Sequence, residues 1–249
     1  MPTALVTGAS SGIGLEIARI LAKDHDVTLA ARSADKLEAL ATEIRGARVV
    51  AVDLSEPAGP RKLVAELPAV DVLVNNAGFA DWGMFADAAE TELDEMIELN
   101  VGALTRLARA YLPGMIERGA GRILNLASTA AFQPGPLMAV YYATKAYVLS
   151  LSEALAEETR GTGVTVTALC PGPTASGFQA RAEMEDSRLV KGRKLPGAAE
   201  VAAYGVKAMQ RGDVVAVPGF MNKAMAVSVR FSPRPVVRRL VHRVNDTKA

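Results

Sequence analysis

Tyr141 and Lys145 stand four residues apart. In a helix that is about one turn, so a phenol and an ammonium would share a face. The cation can then lower the phenol's pKa and let it exchange a proton nearer neutral pH. Tyr142 lacks that spacing to a lysine and reads as aromatic packing. Ser128 lies 13 residues before Tyr141, at the end of Leu126-Ala127-Ser128. Such chemistry needs no histidine, and neither His25 nor His242 is given a role. The single cysteine, Cys170, cannot form an internal disulfide. Its surroundings hold no base to make a thiolate, and the chain has no Cys/His cluster for a zinc site, so no metal is expected.

A second constellation points to a nucleotide. Thr7-Gly8-Ala9-Ser10-Ser11-Gly12-Ile13-Gly14 joins a short apolar run to a helical pattern. A glycine turn in that place lets the backbone approach a pyrophosphate, which meets the free N–H groups of the following helix. An NAD-preferring fold would place a carboxylate at the end of its second strand to accept ribose hydroxyls. Here the position reads Ala30-Ala31-Arg32-Ser33. Arg32 can pair with a 2′-phosphate, which favours NADP(H) and leaves NAD(H) as the second choice. Ser33 would serve the cofactor or cap the next helix.

These groups need a scaffold. Seven short, largely apolar runs read as strands: 4–7, 27–31, 48–52, 70–75, 122–127, 164–169 and 213–217. Helical patterns fill 13–22, 34–44, 59–67, 90–118, 140–160 and 198–210. Strands apolar on both faces, alternating with helices, predict an α/β Rossmann-type, doubly wound, seven-stranded parallel sheet with helices on both faces. With 249 residues, no repeat and no linker, residues 1–249 read as a single NAD(P)-binding domain. The polar stretch 174–196 is long for a connection and is expected to be a substrate loop or lid. Its Arg181, Arg188, Lys191, Arg193 and Lys194 alternate with Glu183, Glu185 and Asp186, the pattern of a solvated mixed-charge face. Lys and Arg total 28 against 27 Asp and Glu, a formal charge of +1, so no overall field draws the chain to nucleic acid. No window reaches the length of a membrane span and no basic leader precedes the first apolar residues, so a cytoplasmic protein is expected.

The order of these motifs resembles the short-chain dehydrogenase/reductase family in its compact form, over Thr3 to about Val217. Its glycine motif is met by Thr7, Gly8, Gly12, Ile13 and Gly14, its Asp-Leu pair by Asp53-Leu54, and its Asn-Asn-Ala-Gly by Asn75, Asn76, Ala77 and Gly78. Its Asn-Ser-Tyr-Lys set falls on Asn100, Ser128, Tyr141 and Lys145, and its later Pro-Gly on Pro171-Gly172, extended to Thr174. The resemblance implies hydride transfer between a nicotinamide and a carbonyl or alcohol carbon. Tyr141 would be the general acid/base, Ser128 would hold the substrate oxygen, Lys145 the nicotinamide ribose, and Asn100 a water of a proton relay. Ser10, Ser11, Asp53, Leu54, Asn76 to Gly78, Pro171, Gly172 and Thr174 would meet the cofactor. It also implies a homodimer or homotetramer through 90–118 and 140–160.

Apolar stretches at 79–82 and 130–138 and in the loop, with Phe178 and Met184, favour a hydrophobic ketone, aldehyde or 3-ketoacyl compound. Beyond the expected last strand, 218–249 forms a helical extension that resembles the DltE-type branch of the family. Its 234–244 segment puts Val236, Val237, Leu240, Val241 and Val244 on one helical face and Arg234, Arg238, Arg239 and Arg243 on the other. Packing on its own domain or a second subunit is the favoured reading, with contact to a membrane surface as the alternative. A different class of function also stays open, a sensor or scaffold that binds NADP without turnover, although such a protein has no use for the tyrosine–lysine pair.

Overall fold

A computed structural model describes residues 1–44, 46–182, 184, 186–192 and 194–247. Of the mixed-charge loop, Glu183, Glu185 and Arg193 lie outside the described residues, as do the last two positions of the expected extension. Among the described residues seven strands form one sheet: β1 (Thr3–Thr7), β2 (Asp26–Ala31), β3 (Arg48–Ala51), β4 (Val72–Asn75), β5 (Gly121–Leu126), β6 (Val164–Leu169) and β7 (Val215–Ala216). Their order is β3-β2-β1-β4-β5-β6-β7, with every pairing parallel. The Rossmann-type expectation is met.

Because side chains alternate along a strand, each strand feeds two apolar layers. Val6, Leu29 and Val74 join one layer with Ile17, Leu21 and Leu37, while the adjacent Leu5, Ala30 and Leu73 join the other with Leu63, Leu107 and Met115. The first layer is capped by α1 (Gly12–Leu21), α2 (Ala34–Glu43) and α8 (Ala198–Arg211), and the second by α3 (Gly59–Glu66) and α5 (Leu104–Glu117). Two further helices flank these: α4 (Glu90–Ile97) and α6 (Ala139–Glu158).

Two expectations need correction. The pattern over 90–118 is not one α-helix, because a π turn at Glu98–Ala103 separates α4 from α5. An apolar repeat of three and four residues cannot register one residue inserted into a turn. The last strand is two residues long, since β7 pairs with β6 only at Val215 and Ala216. The 174–196 loop holds a short helix α7 (Phe178–Arg181) and is stitched by isolated bridges from Ala175 to Gly197 and from Ser187 to Thr247.

Strand order reverses between β2 and β4 on either side of β1, which opens a crevice at the carboxyl ends of the strands. Thr7 sets its floor. The Thr7 hydroxyl donates to the Val74 carbonyl at 3.1 Å and accepts from the Asn76 and Ala77 amides at 3.0 and 3.1 Å. Asn76 Nδ2 returns hydrogen bonds to the Thr7 and Gly8 carbonyls at 2.9 and 3.1 Å. This joint brings α1 so close that a Cβ on Gly14 would stand 2.5 Å from the Gly8 carbonyl. Only glycine fits there.

Candidate active site

One cavity of about 730 Å³ occupies the crevice. It runs from the glycine turn at Gly8, Ser10, Ser11 and Gly12, past Arg32, Ser33, Asp53 and Leu54, to Ser128, Tyr141, Lys145 and Thr174. Ile13, Asn76, Ala77, Gly78, Pro171 and Gly172 also line it. Gly14 lies behind the turn as a packing residue. The buried Asn100 is the one expected catalytic residue that does not line the cavity.

At the nucleotide end, Ser11 occupies the N-cap of α1 with an extended backbone and no side-chain cap. The first N–H groups of the helix therefore stay available to an anion. Ser33 holds the same position on α2, again with no side-chain cap, and Asp35 lies in the first turn. Asp53 accepts from the Ser55 amide and hydroxyl at 2.9 and 2.6 Å, and its second oxygen lies 3.6 Å from Arg32 Nη1. Burial opposes its ionisation, yet the Ser55 hydrogen bonds and Arg32 together hold its carboxyl below the usual value. Arg181, expected on a solvated face, is exposed and also stacks its guanidinium 4.1 Å from the centre of the Phe79 ring at the cavity wall.

At the other end, α6 carries Tyr141 and Lys145 on one buried face. Lys145 Nζ donates to the Leu126 carbonyl at 2.7 Å, where β5 ends, and lies 5.7 Å from the centre of the Tyr141 ring. Burial pulls the ammonium down to about 8. The same burial pushes the Tyr141 phenol well above its usual value, and a hydrogen bond with Ser128 pulls it back only in part. The expected depression of the phenol by Lys145 does not show here, where desolvation of the buried phenolate dominates. Ser128 caps the short 3₁₀ turn Thr129–Phe132, accepting from the Ala130 amide at 3.1 Å, and reaches the Pro171 carbonyl at 3.4 Å.

Asn100 sits in the π turn, where its Oδ1 accepts from the Phe79 amide and its Nδ2 donates to the Phe79 carbonyl and the Thr144 hydroxyl. It thereby ties the chain after β4 to α6. A Cβ on Gly78 would fall 2.8 Å from Asn100 Oδ1 and 3.6 Å from Lys145 Nζ. A side chain there would crowd Asn100 Oδ1, which glycine leaves unobstructed.

The sequence profile described as short chain dehydrogenase matches residues 2–187. That is well over half of the chain. The protein belongs to the short-chain dehydrogenase family. It is 40% identical over 177 residues to the oxidoreductase YvrD of Bacillus subtilis, covering 68% of this chain and 67% of the relative. It is 36% identical over 179 residues to the ketoacyl reductase HetN of a Nostoc species, covering 68% and 62%. Among solved structures, a short-chain dehydrogenase from Sphingobium yanoikuyae in complex with NADPH aligns over 93% of both chains, with 32% identity and a TM-score of 0.85. An alcohol dehydrogenase of Comamonas testosteroni specific for bulky-bulky ketones aligns over 93% and 92%, with 28% identity and a TM-score of 0.79.

In this dehydrogenase the substrate end is roofed by α9 (Phe220–Phe231) and α10 (Arg234–Asn245). Val237, Val241 and Asn245, at four-residue spacing, form the buried row of α10. The expected packing of the apolar face on its own body is met for this row, while Val236 and Leu240 stay exposed at the mouth of the cavity. Asn245 is a residue that sequence reasoning missed. Its carbonyl accepts from Trp82 Nε1 at 2.8 Å, its Oδ1 accepts from the Tyr142 hydroxyl at 3.1 Å, and its Nδ2 donates to the Pro136 carbonyl at 2.9 Å. Next to it, the Arg188 amide donates to the Asp246 carbonyl. No spacing rule pairs residues 163 positions apart, so the one available signal was an amide side chain in phase with Val237 and Val241.

Asn245→Leu leaves the Tyr142 hydroxyl and the Pro136 carbonyl without partners, which should cost about 2 kcal/mol and lower Tm by about 4–8 °C. NADPH affinity should change by less than about twofold while KM for a carbonyl substrate rises about tenfold. Equal losses at both ends of the cavity would show that Asn245 does not act through the substrate pocket.

Proposed function

We propose that this short-chain dehydrogenase is an NADP(H)-dependent oxidoreductase that interconverts a hydrophobic ketone, aldehyde or 3-ketoacyl compound and its alcohol. The observation that carries this reading is the unbroken cavity joining the glycine turn to Tyr141, Lys145 and Ser128. The residues fit such a cofactor. Gly14 lets α1 start close against the glycine turn, and the first amides of α1 carry no side-chain cap and so are free to meet an anion. Arg32 lies at the tip of β2 where a 2′-phosphate belongs, and the NADPH-bound relative supports the same choice. The ketoacyl reductase and bulky-ketone relatives support a carbonyl substrate.

A bound nicotinamide would supply or accept the hydride. For reduction, the Tyr141 hydroxyl delivers its proton to the carbonyl oxygen, and its raised pKa keeps that proton in place until charge develops. The Ser128 hydroxyl stabilises the oxygen as it gains charge. Lys145 holds the ribose and offers a cation to the tyrosinate that remains. Asn100, beside Gly78, holds the water through which the proton is replaced. Oxidation uses the same groups in reverse.

In this reading residues 1–249 act as one unit, 174–196 closes over the substrate, and 218–249 completes its pocket. The protein works in the cytoplasm as a dimer or tetramer. No described helix is long and apolar enough to cross a membrane.

Tyr141→Phe removes the transferred proton and should lower kcat at least a hundredfold with NADPH binding retained, since a positioned general acid contributes roughly 10²–10⁴-fold. The assay is loss of NADPH absorbance across hydrophobic ketones, aldehydes and an acetoacetyl thioester, with NADH in parallel. NADPH bound without turnover on any of them would favour a sensor.

Arg32→Asp should weaken NADPH about tenfold or more and spare NADH, because it removes a charge-assisted pair to the phosphate. An unchanged preference would remove Arg32 from the reading.

Lys145 is charged below about 8 and loses its charge as pH rises through that value. The reductive kcat/KM should therefore be flat on the acid side and fall on the alkaline side of about 8. A profile level to pH ~10, the ordinary lysine range, would contradict this.

A further inference from the structure

Helix α9 is apolar on two opposite sides. Met225 and Val229 line the cavity. On the far side Phe220, Ala224, Val227 and Phe231, spaced four, three and four residues apart, form one continuous stripe in solvent. Phe220 is 82% and Phe231 84% exposed. A helix apolar on both faces is normally covered on both, and a row of exposed aromatics is not the ordinary scatter of single surface residues.

The last two helices carry charge of one sign. Residues 214–245 hold Lys223, Arg230, Arg234, Arg238, Arg239 and Arg243 and no aspartate or glutamate. The chain as a whole is at +1, so the remaining residues carry a net negative charge. Helical spacing puts Arg239 and Arg243 beside the exposed Val236 and Leu240, which form part of the rim of the cavity. A two-fold contact between copies through this face would set these cations against one another, because such an interface presents the same residues twice. A folded acidic partner would answer the arginines but leaves protruding phenylalanines needing pockets of their own. Anionic lipid answers both, with headgroups for the cations and an acyl boundary for the aromatic rings.

We infer that the Phe220–Ala224–Val227–Phe231 stripe of α9, with the exposed Arg239 and Arg243 of α10, docks this protein on an anionic lipid surface. Docking there leaves the rim formed by Val236 and Leu240 close to the lipid, where an apolar substrate would be concentrated. The docking does not depend on the oxidoreductase reading; the route for substrate does.

The test is flotation of the full-length protein with vesicles of equimolar phosphatidylglycerol and phosphatidylcholine, and with phosphatidylcholine alone. The protein should float with the anionic vesicles at low salt, be released by high salt, and stay behind with the neutral ones. Phe220→Ser with Phe231→Ser should lower the apparent vesicle affinity about tenfold or more, as expected for lost apolar burial. Arg239→Gln with Arg243→Gln should do the same with the aromatics intact, and gives a second route if the serine variant fails to fold. Both variants should keep the wild-type NADPH affinity, which is read separately and would survive a failure of docking. Three results would overturn the inference: wild-type protein that does not float, a serine variant that floats as well as wild type, or light scattering showing that the serine variant dissociates an oligomer. The last would assign the stripe to a second copy.

Discussion

The joint between β1 and β4 sets the geometry on which the site depends. One hydroxyl, that of Thr7, bonds to three backbone groups of the neighbouring strand end, and one amide, that of Asn76, bonds back across the same seam. Those bonds hold the glycine turn against the chain that leads to Gly78, so the phosphate end and the catalytic end of the cavity share a wall. The cost of ordering that wall is met by interactions buried away from water, where a hydrogen bond is hard to replace. Asn76 lines the cavity while its amide nitrogen is committed to the glycine turn.

Desolvation governs the catalytic end. Lys145 is nearly enclosed, with a backbone carbonyl as its hydrogen-bond partner, and Tyr141 is enclosed beside it between Tyr142 and Phe178. Burial biases each group toward its neutral form, since the ammonium is easier to deprotonate and the phenol harder. A pair so arranged gains much from any ligand that offers ribose hydroxyls and a developing oxyanion, because polar partners are what burial has removed.

Much of this was legible in the chain. The sheet was readable because parallel strands covered on both faces are apolar throughout, and the Tyr141–Lys145 pair because helical spacing brings residues four apart together. What escaped notice followed from long-range contact. The π turn at Asn100 leaves the apolar repeat intact, the stacking of Arg181 on Phe79 joins segments about a hundred residues apart, and the three hydrogen bonds of Asn245 reach Trp82, Pro136 and Tyr142. The extension illustrates the difference. Its amphipathic pattern announced α10, but only the fold reveals that one half of the apolar face roofs the cavity and the other half stays in solvent.

The hydrogen bonds of Asn245 also order events in time. The glycine-turn half of the crevice is built from residues of β1, β2 and β4, which leave the ribosome early, β1 pairing with β2 at a separation of 23 residues and with β4 at 68. The substrate half closes only when a residue made 163 positions after Trp82 arrives to bind it. Long-range closures of this kind come late in folding, since the entropy of the intervening loop must be lost first. A nascent or clipped chain would thus possess the glycine-turn half of the cleft before it possesses the roof over the other half.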